Sequence, residues 1–274
     1  HLKVDYENGE KWSNPDFDFL ELKRILDEWQ TGMSDGDGWN ALFLSNHDQP
    51  RANSRFGDVE NYPIETATML AQTIQFLRGT PYIYQGEEIG MTNPNYTSIE
   101  EYNDIETHNN YQILLDKGVS EAEALEIIQA KSRDNGRTPV QWDDSDHAGF
   151  TTGNPWLNVA PNYKEVNATN ELANGQIFSY YQELIKLRRE YDVISDGTYR
   201  GLLLDHPEVM AYVRELEDEK LLVFSHFYPG EVTVTLPDEF KGLSAKKLIG
   251  NGTLEEMSDS ITLNAYETVA FLIK

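Results

Sequence analysis

The chain has 274 residues, 39% apolar and 25% charged, a makeup that suits one large or two ordinary folded domains and excludes a disordered polypeptide. Its 47 acidic against 22 basic residues give a formal charge of −25, which repels nucleic acid and anionic membrane surfaces and otherwise reads as solubility. With no cysteine there can be no disulfide, zinc–thiolate site or thiol nucleophile, and no apolar run reaches the roughly 18 residues of a membrane span.

The chain opens on His1-Leu-Lys-Val-Asp5, with neither an initiator Met nor a signal peptide, so the expectation is either a fragment or a chain whose front was removed. Leu22, Ile25, Leu26 and Trp29 repeat at i, i+3, i+4, i+7 and predict a helix. After a glycine-rich break, Ser34 to Trp39, the short apolar run Ala41–Leu44 predicts a buried strand. Ala67, Leu70, Ala71, Ile74 and Leu77 form a second helical stripe, with Gly79 placed as its C-terminal glycine. Pro81–Tyr84 predicts another buried strand. Strand, helix and strand in this order make a βαβ unit with parallel strands. Residues 97–131 read as helical and polar, with Ser120 and Glu123 as a capping box. Residues 133–174 show no period, and a loop of that length is often functional. Ile177, Tyr180, Tyr181, Leu184 and Leu187 predict a further amphipathic helix.

After Gly197 the pattern changes. Val232, Val234 and Leu236 alternate with Thr233 and Thr235, as on a half-exposed strand, and Leu221–Phe224 and Thr268–Ile273 are further strand candidates. The expected organisation is an α/β domain over residues 1–196 and an antiparallel, all-β, sandwich-like domain over 197–274.

Three segments could carry chemistry. The first is Phe43-Leu-Ser-Asn-His-Asp-Gln-Pro-Arg51, at the carboxyl end of a predicted parallel strand, where α/β enzymes build their sites. There His47 could bond a hydroxyl, Asp48 could stabilise positive charge, and Arg51 lies within reach. The competing reading makes Asp48 a helix cap. The second, Gln85-Gly-Glu-Glu88, ends the other strand, where a carboxylate reads as structural as readily as functional. The third is Ser132-Arg-Asp-Asn-Gly-Arg-Thr-Pro-Val-Gln-Trp142, whose two arginines and tryptophan suit a polyhydroxylated ligand, or else pair with surface carboxylates. Phosphate-cradling glycine loops and metal-spaced histidine pairs are missing from the sequence, and none of its six histidines lies near a G-x-S-x-G nucleophile turn.

Taken together, these blocks resemble glycoside hydrolase family 13, the retaining α-glucan hydrolases built on a (β/α)8 barrel. Phe43 to Asp48 is similar to the block ending barrel strand 7. Gly79 to Glu88 is similar to the block of strand 8. Arg133-Asp-Asn-Gly-Arg-Thr-Pro-Val-Gln-Trp-Asp143 is similar to the exo-acting branch of oligo-1,6-glucosidases, dextran glucosidases, α-glucosidases and sucrose isomerases. The resemblance spans essentially the whole chain but only the back half of such an enzyme, from about strand 6. It implies that Asp48 is the transition-state stabiliser and that His47 binds the same sugar. Arg133 would hold the terminal hydroxyl of the non-reducing glucose, and Glu106 and Lys11 the leaving sugar. No segment matches the family's nucleophile or acid/base, so the chain alone is expected to be inactive. No cofactor and no metal site are implied.

The segment Lys3-Val-Asp-Tyr-Glu7 stands where sucrose isomerases carry Arg-Leu-Asp-Arg-Asp, which argues against an isomerase. The resemblance is nearest to glucan 1,6-α-glucosidase, a cytoplasmic enzyme acting on isomalto-oligosaccharides or dextran. The alternatives are an α-1,4-glucosidase or trehalose-type hydrolase, and a non-catalytic carbohydrate-binding or structural piece. Strands cut off from the rest of a barrel are also expected to promote self-association.

Overall fold

A computed structural model of the chain describes residues 2–36 and 38–274. His1 and Asp37, the latter within the expected glycine-rich break, lie outside the described residues. The helices in chain order are α1 (Phe19–Asp35), α2 (Ala52–Phe56), α3 (Pro63–Gln75), α4 (Ile105–Asp116), α5 (Glu121–Lys131), α6 (Asp134–Arg137), α7 (Ala168–Asn174), α8 (Ile177–Glu190) and α9 (Asp192–Ser195). The strands are β1 (Ala41–Leu42), β2 (Thr80–Pro81), β3 (Thr198–Leu202), β4 (Val209–Leu216), β5 (Glu219–His226), β6 (Val232–Thr235), β7 (Lys246–Gly250), β8 (Ser260–Leu263) and β9 (Thr268–Ile273). The chain folds into two compact units, one of residues 1–18, 44–56 and 83–178 and the other of 19–43, 57–82 and 179–274.

The first unit carries the candidate site. The expected helical stretch 97–131 is two helices, α4 and α5, divided at Gly118, which takes a left-handed φ of 88°. Ser120 caps α5, its Oγ accepting from the Glu123 N–H at 3.3 Å. Leu114 on α4 packs with Ala124 and Ile127 on α5, while Tyr96, Tyr102, Ile128 and Leu157 form a neighbouring cluster. A buried ion triad ties three distant segments together. Arg55 Nη2 donates to Asp5 Oδ1 at 2.5 Å and Lys131 Nζ to Asp5 Oδ2 at 2.6 Å. Burial alone would raise the Asp5 carboxyl, but the bonds to Arg55 and Lys131 hold it below its ordinary value.

In the second unit β1 and β2 pair in parallel, Ala41 opposite Thr80 and Leu42 opposite Pro81, with α2 and α3 in the intervening chain, as the βαβ reading requires. The paired stretch is shorter than expected, two residues on each strand. Gly79 does not end α3, which stops at Gln75. It enters β2 with φ of 147°, where a Cβ would stand 2.5 Å from the Asn40 carbonyl oxygen, so close strand approach is what demands glycine. Phe43 and Tyr82, just past the pair, are exposed.

The antiparallel part is more extensive than its sequence pattern suggests. Five strands lie in the order β3-β4-β5-β9-β7, and β6 pairs with β8. Val213, Phe224 and Phe271 from the larger sheet share one core with Val234, Ile261 and Leu263 from the smaller. Arg214 on β4 is fully buried. Its guanidinium donates to the carbonyls of Phe76 (2.6 Å), Ile194 (2.7 Å), Gly197 (2.6 Å) and Thr198 (3.1 Å). One side chain thus satisfies the chain ends around α3 and α9 that regular structure leaves open.

Two stability predictions follow from these buried groups. Arg214→Met strands several carbonyls at a cost on the order of 1–3 kcal/mol each, so a loss of about 3 kcal/mol or more is expected in urea titration. Arg214→Lys should recover only part of it, and parental stability in the Met variant would contradict the role. Glu87 lies in a 3-10 turn just after Gly86, its Oε2 accepting from the Tyr84 N–H at 3.1 Å. Burial pushes its carboxyl up to about 7 from an ordinary 4.5. The folded state therefore holds this proton more tightly than the unfolded chain does. That contribution is complete below about pH 4.5 and is lost as pH rises through 7. Glu87→Gln should raise Tm more at pH 8 than at pH 4 and flatten this part of the pH profile. An equal shift at both pH values would refute the assignment.

Candidate active site

The segment after β1 turns sharply and sets Asp48. Asn46 Oδ1 accepts from the Asp48 N–H at 2.8 Å, an Asx-type turn that fixes the backbone there. Asp48 is not the cap of α2. Ser45 Oγ takes the Ala52 N–H at 2.9 Å, and Asp48 directs its carboxylate elsewhere. Its Oδ1 lies 2.9 Å from Arg137 Nη2 and 4.0 Å from Arg133 Nη1, and its Oδ2 lies 3.4 Å from His47 Nε2. The His47 side chain is 73% exposed and Asp48 37%, so both present polar atoms to an incoming ligand. Arg51, expected within reach of this pocket, turns away from it. It is buried, with Nη1 donating to the Gln85 carbonyl and Nη2 to Thr138 Oγ1, each at 3.0 Å.

The 133–137 turn brings its two arginines, four residues apart, against this segment. Arg133 grips Asp104 through both edges of a fork, Nη2 to Oδ1 at 2.5 Å and Nε to Oδ2 at 3.1 Å. Its Nε also lies 3.2 Å from Glu106 Oε2. Lys11 Nζ in turn donates to Glu106 Oε1 at 2.9 Å and stands over the Trp12 ring. Asp104 is buried. Burial would raise its carboxyl, but the Arg133 guanidinium and the Thr107 hydroxyl, 3.2 Å from Oδ2, hold it below the ordinary value. The close fit of the turn depends on Gly136, where a Cβ would meet the Gln49 carbonyl oxygen at 2.7 Å and that of Asn46 at 2.8 Å. Tyr84 Oη pins the same turn by donating to the Gly136 carbonyl at 2.8 Å.

The structure thus brings four of the expected residues, Lys11, Asp48, Glu106 and Arg133, into one chain of alternating charges, Asp48–Arg137–Asp104–Arg133–Glu106–Lys11, and sets the fifth, His47, beside Asp48. The arginines are ion-paired, as the plainer reading held, but with the carboxylates of this cluster rather than with scattered surface groups. Sequence reasoning missed Asp104, Tyr84 and the separate placement of Arg137. The four-residue spacing of Arg133 and Arg137 was the available signal for the last. Chemically, the cluster offers a partly exposed carboxylate beside an imidazole and a guanidinium, a set able to hold several hydroxyls of a sugar ring and to stabilise positive charge on it.

Residues 1–197 match the alpha amylase catalytic domain family, and residues 209–270 match the C-terminal domain of the alpha-amylase SusG. A trehalose-6-phosphate hydrolase from Bacillus subtilis (strain 168) is 50% identical over 99% of this chain and 49% of its own length. An oligo-1,6-glucosidase from Bacillus cereus is 44% identical over 100% of this chain and 50% of its own. The crystal structure of Bacillus licheniformis trehalose-6-phosphate hydrolase superposes with a TM-score of 0.96 at 52% identity, covering 100% of this chain and 50% of that one. The chain spans about half the length of the curated relatives it matches. The parallel strand pair, the antiparallel sheets and these matches agree, and the chain belongs to the alpha-amylase family, glycoside hydrolase family 13, as the C-terminal part of its (β/α)8 barrel with the β domain that follows.

Proposed function

We propose that the protein of which this chain forms part is a retaining, exo-acting α-glucoside hydrolase. We propose further that residues 1–196 complete its barrel and that 197–274 form its C-terminal β domain. The alternating charge chain running from Asp48 to Lys11 carries the reading. In it Asp48 acts as the stabiliser, its charge felt most as positive charge develops at the sugar's anomeric carbon. His47 bonds a hydroxyl of the same ring. Arg133 presents its planar fork to the non-reducing end, and Glu106 and Lys11 hold the leaving sugar. Retaining hydrolysis also needs a nucleophile and a proton donor about 5–5.5 Å apart. Asp104 and Glu106 are committed to Arg133 and Lys11, so the reading assigns those two roles to residues of the full-length protein outside this chain.

For the substrate we favour trehalose 6-phosphate, supported by the 50% and 52% identity of the two trehalose-6-phosphate hydrolases against 44% for the oligo-1,6-glucosidase. An ammonium such as Lys11 at the leaving sugar suits a phosphorylated product. The second reading, cleavage of isomalto-oligosaccharides, rests on the oligo-1,6-glucosidase relatives and the resemblance of the strand 7 and 8 blocks. Steady-state kinetics of the full-length protein decide between them. Release of glucose and glucose 6-phosphate from trehalose 6-phosphate is expected at a kcat/KM at least about tenfold above that on isomaltose, or ~1.4 kcal/mol. The reverse ratio selects the second reading, turnover of neither refutes the proposal, and the 274-residue chain alone should show none.

Asp48→Asn in the full-length protein should keep the fold and lower kcat by several powers of ten; retention of more than about a tenth of parental kcat, less than ~1.4 kcal/mol, contradicts its role. Arg133→Ala should raise KM and lower kcat, and Lys should replace it poorly because it lacks the planar fork. Unchanged kinetics would return Arg133 to a purely structural ion pair.

A further inference from the structure

We infer that Arg137 is a positioning residue that fixes Asp48 for the reaction by clamping the His47 carbonyl and the Asp48 carboxylate with one guanidinium; this rests on the reading of Asp48 given above. Nε donates to the His47 carbonyl at 2.7 Å and Nη2 to Asp48 Oδ1 at 2.9 Å. The clamp joins a main-chain atom to the side chain of the next residue, so it fixes the carboxylate relative to its own backbone. It occupies Oδ1 and leaves Oδ2, on the His47 side, for a sugar hydroxyl.

Arg133 does not duplicate this. Its Nη1 reaches Asp48 only at 4.0 Å, and its short bonds go to Asp104. Arg137 is held in turn from behind. Its Nη1 faces Asp104 Oδ1 at 3.9 Å and Asp134 Oδ1 at 4.0 Å. Asp134 is fully buried and is itself fixed, its Oδ2 accepting from the Asn103 and Asp104 N–H groups at 2.8 Å each. The guanidinium thus sits between the carboxylate assigned to the chemistry and two buried ones that are themselves hydrogen-bonded. The edge carrying Nε and Nη2 is engaged by the 47–48 segment, which makes Arg137 act through Asp48 in this inference.

The test uses the full-length protein with whichever glucoside it turns over. Arg137→Ala should lower kcat roughly 10–100-fold, the scale of a misplaced reacting group, with KM changed less than about twofold. Arg133→Ala should move KM as well. Guanidinium ion at millimolar concentration should restore part of the lost kcat in Arg137→Ala and have no such effect on Asp48→Asn. Arg137→Lys should remain as deficient as Ala, because one ammonium cannot span both acceptors. If Asp48→Asn is inactive while Arg137→Ala or Arg137→Lys keeps parental kcat, this inference falls and the reading of Asp48 stands. A change confined to KM in Arg137→Ala also overturns it, since it would put Arg137 on the substrate. If Asp48→Asn is active, the reading of the site falls first. Should Arg137→Ala fail to fold, the Lys variant decides: low kcat at parental Tm supports the clamp, and parental kcat refutes it.

Discussion

A buried charge is tolerated only when another group answers it, and the site is organised by that requirement at Asp104. Its carboxylate is almost out of reach of water and is answered by the Arg133 fork at 2.5 and 3.1 Å. Once Asp104 and Arg133 are joined, the remaining groups fall into alternation, Glu106 and Lys11 on one side and Arg137 and Asp48 on the other. Each charge is flanked by its opposite, so the cluster can carry three carboxylates and three cations without a large net field. Asp48, at the more open end, remains accessible to a ligand while its neighbours are held.

The same rule explains where the chain keeps some of its few basic residues. With 22 cations against 47 acids, a surface use for every lysine and arginine would be easy to supply. Instead Lys23, Arg51, Lys131 and Arg214 are buried, where they bond main-chain carbonyls that no helix or strand satisfies. Lys23 Nζ, for example, donates to the carbonyls of Leu203, His206 and Val209 at 2.6–2.9 Å. An arginine or lysine carries several donors on one stem, so a single side chain can close an irregular loop that would otherwise bury unpaired acceptors. The strongly acidic balance is thereby sharpened at the surface.

Much of the fold was legible because burial imposes a period. The stripe Leu22, Ile25, Leu26, Trp29 lies on α1, the stripe Ile177 to Leu187 on α8, and the Val/Thr alternation on β6. Where both faces of a strand are buried the period vanishes. β4, with its first six residues buried, reads as Val-Met-Ala-Tyr-Val-Arg, and the buried Arg214 within it looks like a surface residue. Gly79 was legible as special but not for the right reason, since a strand approach and a helix end call for the same residue type. At the site, the segment 43–48 and the 133–142 block stood out by composition. Asp104 did not, because it fell inside the stretch 97–131 that reads as helical and polar, where an Asp looks like one more surface charge. In the structure it is the N-cap residue of α4 by position, yet its carboxylate goes to Arg133.

That last case shows what one-dimensional reading leaves undecided. Asp48 and Asp104 both precede helices, and Arg51, Arg133 and Arg137 all lie in polar segments near glycine or proline, so residue type and local pattern rank them alike. Contacts across about 30 to 90 residues separate them: Arg51 closes the carbonyl at Gln85, Arg133 closes Asp104, and Arg137 closes the 47–48 segment. Gly136 is the local feature on which the third contact depends, because any side chain there would hold the turn off the Asn46 and Gln49 carbonyls. A residue with no functional group therefore helps decide which of three arginines reaches the carboxylate assigned to the chemistry.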